Sequence, residues 1–324
     1  MSSQGEHLPS VSFQKSVISG NLNSTLLFFY LLGGYIGLYL FTIRIYVSEL
    51  GPSRRIVTSS LTALCVLTIG QLILQWHYTT AAFSGRAQDR FDMFVSSLGP
   101  VTSPEEGLIS VLFVGIGQGI ADALMIWRCW QALTGRRNLK LLLFAFYIGE
   151  IVLLLVGFAI AGLVWFDPRY KTAQFARRYN ILQGSTFLVT AMTSMMATFV
   201  IGAQIYVSTR QNLRARKRYA QIVEIMIQSA ALYSLTILGQ AIIALTTSGN
   251  LATLTSAILN GEFYTSGLMV FTTAFVPTLM VARISIERSK VWEAHSPMHT
   301  MSQTEEHTMP PDDAGEIQAE DVHR

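Results

Sequence analysis

Two carboxylates stand where a carboxylate is costly. Asp122 lies in the run Gly115 to Trp130, read GIGQGIADALMIWRCW, and Glu150 is the one charged residue between Leu141 and Trp165. A carboxylate at the middle of a membrane helix costs about 2.5–3.5 kcal/mol on insertion scales. Asp122 lies about 12 Å, at 1.5 Å per residue, from the Trp130 end of its run. Glu150 lies about 13 Å from the Leu141 end of the next. Antiparallel neighbours would therefore hold the two at similar depth. There they could share a proton or a cation, or each could meet a separate polar partner. A structural role, with one carboxyl protonated or bonded to Gln, Tyr or Ser, accounts for them equally. Gln118 falls on the same helical face as Asp122, with Gly115 and Gly119. Glycines on such a face let a neighbouring helix approach closely.

Other polar residues recur at helical spacing. Thr186, Thr190, Thr193 and Ser194 form one stripe. Ser229, Tyr233, Thr236 and Gln240 form a second, and Glu262, Thr265, Ser266, Thr272 and Thr273 a third. Helix-to-helix adhesion explains them with interhelical hydrogen bonds of roughly 0.6 kcal/mol each. The alternative is a polar cavity between helices, lined by Thr190, Ser229, Tyr233, Thr236, Gln240 and Thr272. Arg128, between Trp127 and Trp130, reads as a snorkelling cation with aromatic anchors. A second reading pairs Arg128 with Glu224 as a latch between two helices, the bistable element a switch requires.

The elements that must position these groups are membrane helices. The chain of 324 residues is 51% hydrophobic and 13% charged, against about 25% charged in soluble domains. About 20 apolar residues suffice to span a bilayer. Seven runs qualify, at about 26–47, 56–78, 108–130, 141–165, 181–207, 222–245 and 263–284. The expected fold is all-α, a polytopic seven-helix transmembrane bundle over 26–284. A 1–25 N-tail precedes it and a disordered 285–324 tail follows, the latter too poor in apolar residues to fold alone. Of the 23 Lys and Arg, 16 fall on the side of the first, third and fifth loops and the C-tail. The positive-inside rule then puts the N-terminus outside and the C-terminus in the cytosol. The basic run Arg210 to Arg218 would face a cytosolic partner or anionic lipid. The long second loop, 79–106, is a candidate outward cap. Asn23-Ser24-Thr25 is a glycosylation sequon, placed so near the first helix that the enzyme has little access. Pro277 should bend the seventh helix locally.

Several classes are excluded. The last helix has no lysine for a retinal Schiff base, and no cluster of membrane-embedded histidines offers metal ligands. No nucleophile elbow, phosphate loop or His-Glu-x-x-His motif appears, so an enzyme is not expected, nor a cofactor or metal. Net charge +3 gives no footprint for nucleic acid. Cys65 and Cys129 fall within or at the end of apolar runs, so no structural disulfide is expected.

Three segments carry a family resemblance: Asp122 to Trp130 (DALMIWRCW), Gln228 to Tyr233 (QSAALY) and Val276 to Arg283 (VPTLMVAR). Together they resemble a large group of uncharacterised seven-span membrane proteins of mushroom-forming (basidiomycete) fungi. There the third helix reads Asp, a few aliphatics, then aromatic-Arg-Cys-aromatic, and the sixth often carries Glu-Ser-Ala-x-x-Tyr. Gln228 replaces that Glu here. The resemblance implies a seven-helix bundle in a fungal membrane and brings no ligand. The expected function is a receptor-like sensor of a small molecule, multi-pass in the plasma membrane. The alternatives are a small-solute or proton transporter using Asp122 and Glu150, and a structural membrane protein without ligand.

Overall fold

The structure, a computed structural model, describes residues 9–47, 52–85, 89–98, 103–133, 137–170, 172–209, 213–247 and 255–295. These form α1 (Val11–Val47), α2 (Pro52–Thr80), α3 (Arg90–Ser97), α4 (Pro104–Ala132), α5 (Arg137–Phe166), α6 (Ala173–Thr209), α7 (Leu213–Thr246) and α8 (Ser256–His295). A π-helical turn, Ala81–Gly85, extends α2, and a 3-10 turn, Pro168–Tyr170, joins α5 to α6. Among the described residues there is no strand. Seven helices, all but α3, are long and apolar enough to cross a membrane. The chain is therefore a multi-pass membrane protein on length and composition.

Each expected span falls inside one of these seven helices, but the helices run further. α1 begins at Val11, where hydropathy alone reads a tail through residue 25. Its first turn is capped by the Ser10 hydroxyl, which accepts from the Phe13 N–H at 3.3 Å. Several polar residues of that stretch face protein: Gln14, Asn21, Ser24 and Thr25 are buried. α8 likewise continues to His295, beyond the expected boundary at 284. The second loop contains α3, whose Phe94 packs on Val17 of α1 and Leu259 of α8. It thus packs at one end of the bundle, hereafter the α3 end.

The spanning helices close a ring in the order α1, α2, α4, α5, α6, α7, α8, with α8 returning to α1. α4 also touches α6 and α8 across the middle. α8 is the most enclosed helix, with 61% of its most apolar window buried, and α5 the least, with 11%. On α5, only Leu143, Glu150 and Ala161 are buried, while Leu142, Phe144, Val152, Leu155 and Leu163 are exposed on the lipid-facing side. A helix this apolar all round suits lipid on most of its circumference. Its single buried charged residue is therefore a departure that needs a cause.

Close approach occurs at different glycines from those expected. A Cβ on Gly115 or Gly119 would meet only ordinary contacts, with Leu154 at 3.9 Å and Ile151 at 3.5 Å. A Cβ on Gly184 of α6 would lie 2.6 Å from Leu245 and 3.3 Å from the Ala241 carbonyl of α7. On α4 the tight position is Gly107, where a Cβ would lie 2.7 Å from Trp165, while at Gly184 the Cβ would meet backbone of α7 as well as a side chain.

Candidate functional site

Asp122 on α4 and Glu150 on α5 meet in the interior. Both are essentially fully buried, at 1% and 0% exposure. Their carboxyl groups lie within hydrogen-bonding reach of each other. The Tyr233 hydroxyl of α7 donates to Asp122 Oδ2 at 3.2 Å. The Thr190 hydroxyl of α6 donates to Glu150 Oε1 at 2.7 Å. That leaves Asp122 Oδ1 and Glu150 Oε2 without a donor from any other described group. The groups acting on Asp122 are Glu150 and Tyr233, with no described Lys or Arg among them.

Elementary electrostatics decides what such a contact needs. Two like charges in contact inside a low-dielectric bundle repel strongly. The two hydroxyl donors supply roughly 0.6 kcal/mol each, well short of the cost of two mid-membrane carboxylates. One proton between the carboxyls turns repulsion into an O–H···O hydrogen bond. The pair then titrates as a unit rather than as two independent groups. Side chains from α4, α5, α6 and α7 thus converge on one shared polar centre.

One helical turn from Asp122, toward the α3 end, Gln118 forms the floor of a cavity of about 820 Å³. The Gln118 amide donates to the Met269 sulfur at 3.5 Å, a weak acceptor that leaves most of its bonding capacity unspent. Gly119 lines the same floor, and its carbonyl accepts from the Tyr147 hydroxyl at 3.2 Å. The cavity rises from there to Ser97, Leu98 and Gly107 at the α3 end. Asp122 and Glu150 are not among its lining residues. Below them, toward the opposite end, Cys129, Leu133, Leu143, Ala197 and Val200 form a closed apolar cluster. Among the described residues, the cavity lining does not extend past Gln118 and Gly119 in that direction on α4.

Of the six residues expected to line a cavity, Gln240 does. Thr190 and Tyr233 instead bond the acid pair, and the Thr236 and Thr272 hydroxyls bond each other at 3.0 Å across α7 and α8. Ser229 is buried. These positions sit below the floor, where α6, α7 and α8 pack around Phe187, Ile237 and Val276. Helical spacing shows which face is polar but not the depth at which helices separate. The residues that line the cavity and were not expected include Gln71 and Gln75 of α2, Ser110 of α4 and Gln183 of α6. Gln71 and Ser110 are bonded at 2.8 Å, and Gln75 donates to Thr25 at 3.2 Å.

The remaining candidate residues fall elsewhere. Arg128 turns inward beside Tyr46 of α1 instead of snorkelling out. The interfacial role belongs to Trp130, which is exposed and lies 5.1 Å beneath the Lys140 ammonium. Its proposed latch partner Glu224 has a side chain outside the described residues, as do the side chains of Arg210 to Arg218 and the 296–324 tail. Asn23 lies within α1, exposed, with the sequon's Thr25 buried. Cys65 and Cys129 are both free and buried. Among the described residues, no group of three His, Cys, Asp or Glu stands close enough to hold a metal ion. No family model, curated protein or solved structure matches this chain.

Proposed function

We propose that this protein is a receptor-like seven-helix sensor that takes a small molecule into the cavity at the α3 end. The observation that carries this reading is the cavity that reaches the α3 end. It offers about 820 Å³ of space, inside the range typical of small-molecule sites. On α4 it stops at Gln118 and Gly119, with the buried acid pair and an apolar cluster beneath. A site entered from one side and closed on the other suits binding better than passage.

In this reading the N-terminus and the α3 end face outward in the plasma membrane of a fungal cell, following the Lys and Arg bias. The basic run Arg210 to Arg218 faces a cytosolic partner or anionic lipid. A ligand contacting Gln118 acts one turn from Asp122, and Asp122 links α4 to α5 and α7. A shift at the cavity floor is thereby felt by three helices. Two discrete arrangements of that contact would supply the states a ligand selects between.

The acid pair itself favours the second reading, a proton-coupled transporter, since intramembrane carboxylates recur in proton relays. Liposomes containing the purified protein separate the two. With a pH gradient and an internal pH dye, the sensor reading expects no flux above that of empty liposomes. Proton flux that Asp122→Asn abolishes would establish transport and overturn the sensor.

A further inference from the structure

The cavity's walls differ in chemistry around the ring. α5 contributes only apolar groups, among them Leu154, Phe158 and Trp165. α1 and α2, on the far side, contribute amides and hydroxyls, and these bond largely to one another, as Gln75 does to Thr25. Gln240 is likewise engaged, accepting from the Thr265 hydroxyl at 2.5 Å. Glu262 of α8 differs from all of them. It is the single charged side chain lining the cavity among the described residues. It is exposed, and no described side chain donates to it or pairs with it. The nearest described ion pair at this end, His77 with Glu106 at 3.5 Å, is already matched. α8 stands across the ring from α5, so the lone carboxylate and the apolar wall belong to opposite sides of the cavity.

We infer that the cavity takes a monocationic amphipathic amine, its ammonium at the Glu262 carboxylate and its apolar body against α5. The inference rests on the reading of the cavity as a ligand site and adds the charge and polarity of the occupant. A carboxylate in a cavity otherwise lined by neutral groups sets a negative potential that low-dielectric walls concentrate. A cation entering there gains a charge-assisted hydrogen bond. Tyr179 and Phe263 also line the cavity, and aromatic faces attract a desolvated ammonium further. An anionic ligand would meet repulsion from Glu262, with no cation among the described lining residues to offset it. A neutral ligand would leave the carboxylate unmatched.

A matched series tests this without knowledge of the natural ligand: 4-phenylbutylamine, 4-phenylbutanol and 4-phenylbutanoate share one apolar body and differ in head group. Binding is measured calorimetrically at neutral pH to the full chain in nanodiscs, with empty nanodiscs subtracted to remove partitioning. The amine should bind at least tenfold more tightly than the alcohol, and the acid weakest. Glu262→Gln should bring the amine down to the alcohol's affinity and leave the alcohol unchanged, while Glu262→Asp should keep part of the preference. An amine bound no better than the alcohol by the wild-type protein, or a preference that survives Glu262→Gln, overturns the inference and leaves the cavity reading standing. Absence of binding by all three overturns both. The wild-type head-group comparison decides the matter even if the Gln variant fails to fold.

Discussion

Replacing Glu150 by glutamine separates a hydrogen-bonding role from a charge role. The glutamine carbonyl keeps the Thr190 donor now held at 2.7 Å. Its N–H₂ supplies Asp122 Oδ1 with the donor that no other described group provides. Because the amide donor takes the place of the shared proton, the expected change is small, within about 0.6 kcal/mol of wild type, the average for one interhelical hydrogen bond in a bilayer. Glu150→Ala removes the same side chain with no replacement. It forfeits the Thr190 bond and strands both that hydroxyl and Asp122 Oδ1, and a stranded buried polar group costs about 1–3 kcal/mol. The two variants should therefore differ by roughly 2–4 kcal/mol. Asp122→Ala combined with Glu150→Ala should cost less than the two singles summed, by about 0.5–3 kcal/mol, as expected for groups in contact. Reversible unfolding in mixed micelles, or steric trapping in bicelles, reads these differences. If Glu150→Gln loses as much stability as Glu150→Ala, the site requires a carboxylate charge, and the shared-proton account fails.

Three further outcomes follow from the packing. Gly184→Val should destabilise by about 1–3 kcal/mol through overpacking, since even its Cβ would lie 2.6 Å from Leu245; Gly119→Ala, with 3.5 Å of room, should be within about 0.5 kcal/mol of wild type in the same unfolding assay. A cysteine at Ser110 should react with a membrane-impermeant thiosulfonate added from the α3 side, while one at Thr190 should stay unlabelled; equal labelling would place water below the cavity floor. Asn23 should carry no glycan when the protein is expressed in a fungal host, because Thr25 is 2% exposed inside α1; an endoglycosidase-sensitive mass shift lost in Asn23→Gln would show otherwise.

Much of the architecture is legible in hydropathy because lipid imposes it. Runs of about 20 apolar residues have few other fates, and Leu141 to Trp165 is unmistakable on that ground. The Asp122–Glu150 encounter is also legible, through depth: two carboxylates equally far from the same bilayer edge on consecutive antiparallel helices have a short path to each other. Where sequence falls short, the cause is that hydropathy measures affinity for lipid, not for protein. Gln14, Asn21 and Thr25 read as tail residues, yet they are buried against neighbouring helices and α3. Gly184 carries no more local signal than Gly119, because the approach of Ala241 is a property of the partner helix. Thr190 and Tyr233 read as cavity lining since their stripes are polar, and a stripe looks alike whether it faces a void or a buried acid.

The position of Glu150 explains how so exposed a helix finds its place. Lipid tails are as apolar as leucine, so burying Leu155 or Val156 against protein gains little over leaving it in the bilayer. α5 therefore has weak means of choosing its rotation and depth by packing alone. Its specific ties to the bundle are few: Glu150 to Thr190 and Asp122, Tyr147 to the Gly119 carbonyl, and Trp165 over Gly107. A rotation of α5 by a quarter turn would expose Glu150 to lipid at a cost of about 2.5–3.5 kcal/mol, while its aliphatic residues would hardly register the change. The acid pair thus sets the register of α5, as a buried polar group does in a coiled coil. The same contact borders the cavity floor through Gln118 and Gly119. The helix most free to move at the edge of the bundle is thus tied in place by the polar centre nearest the ligand.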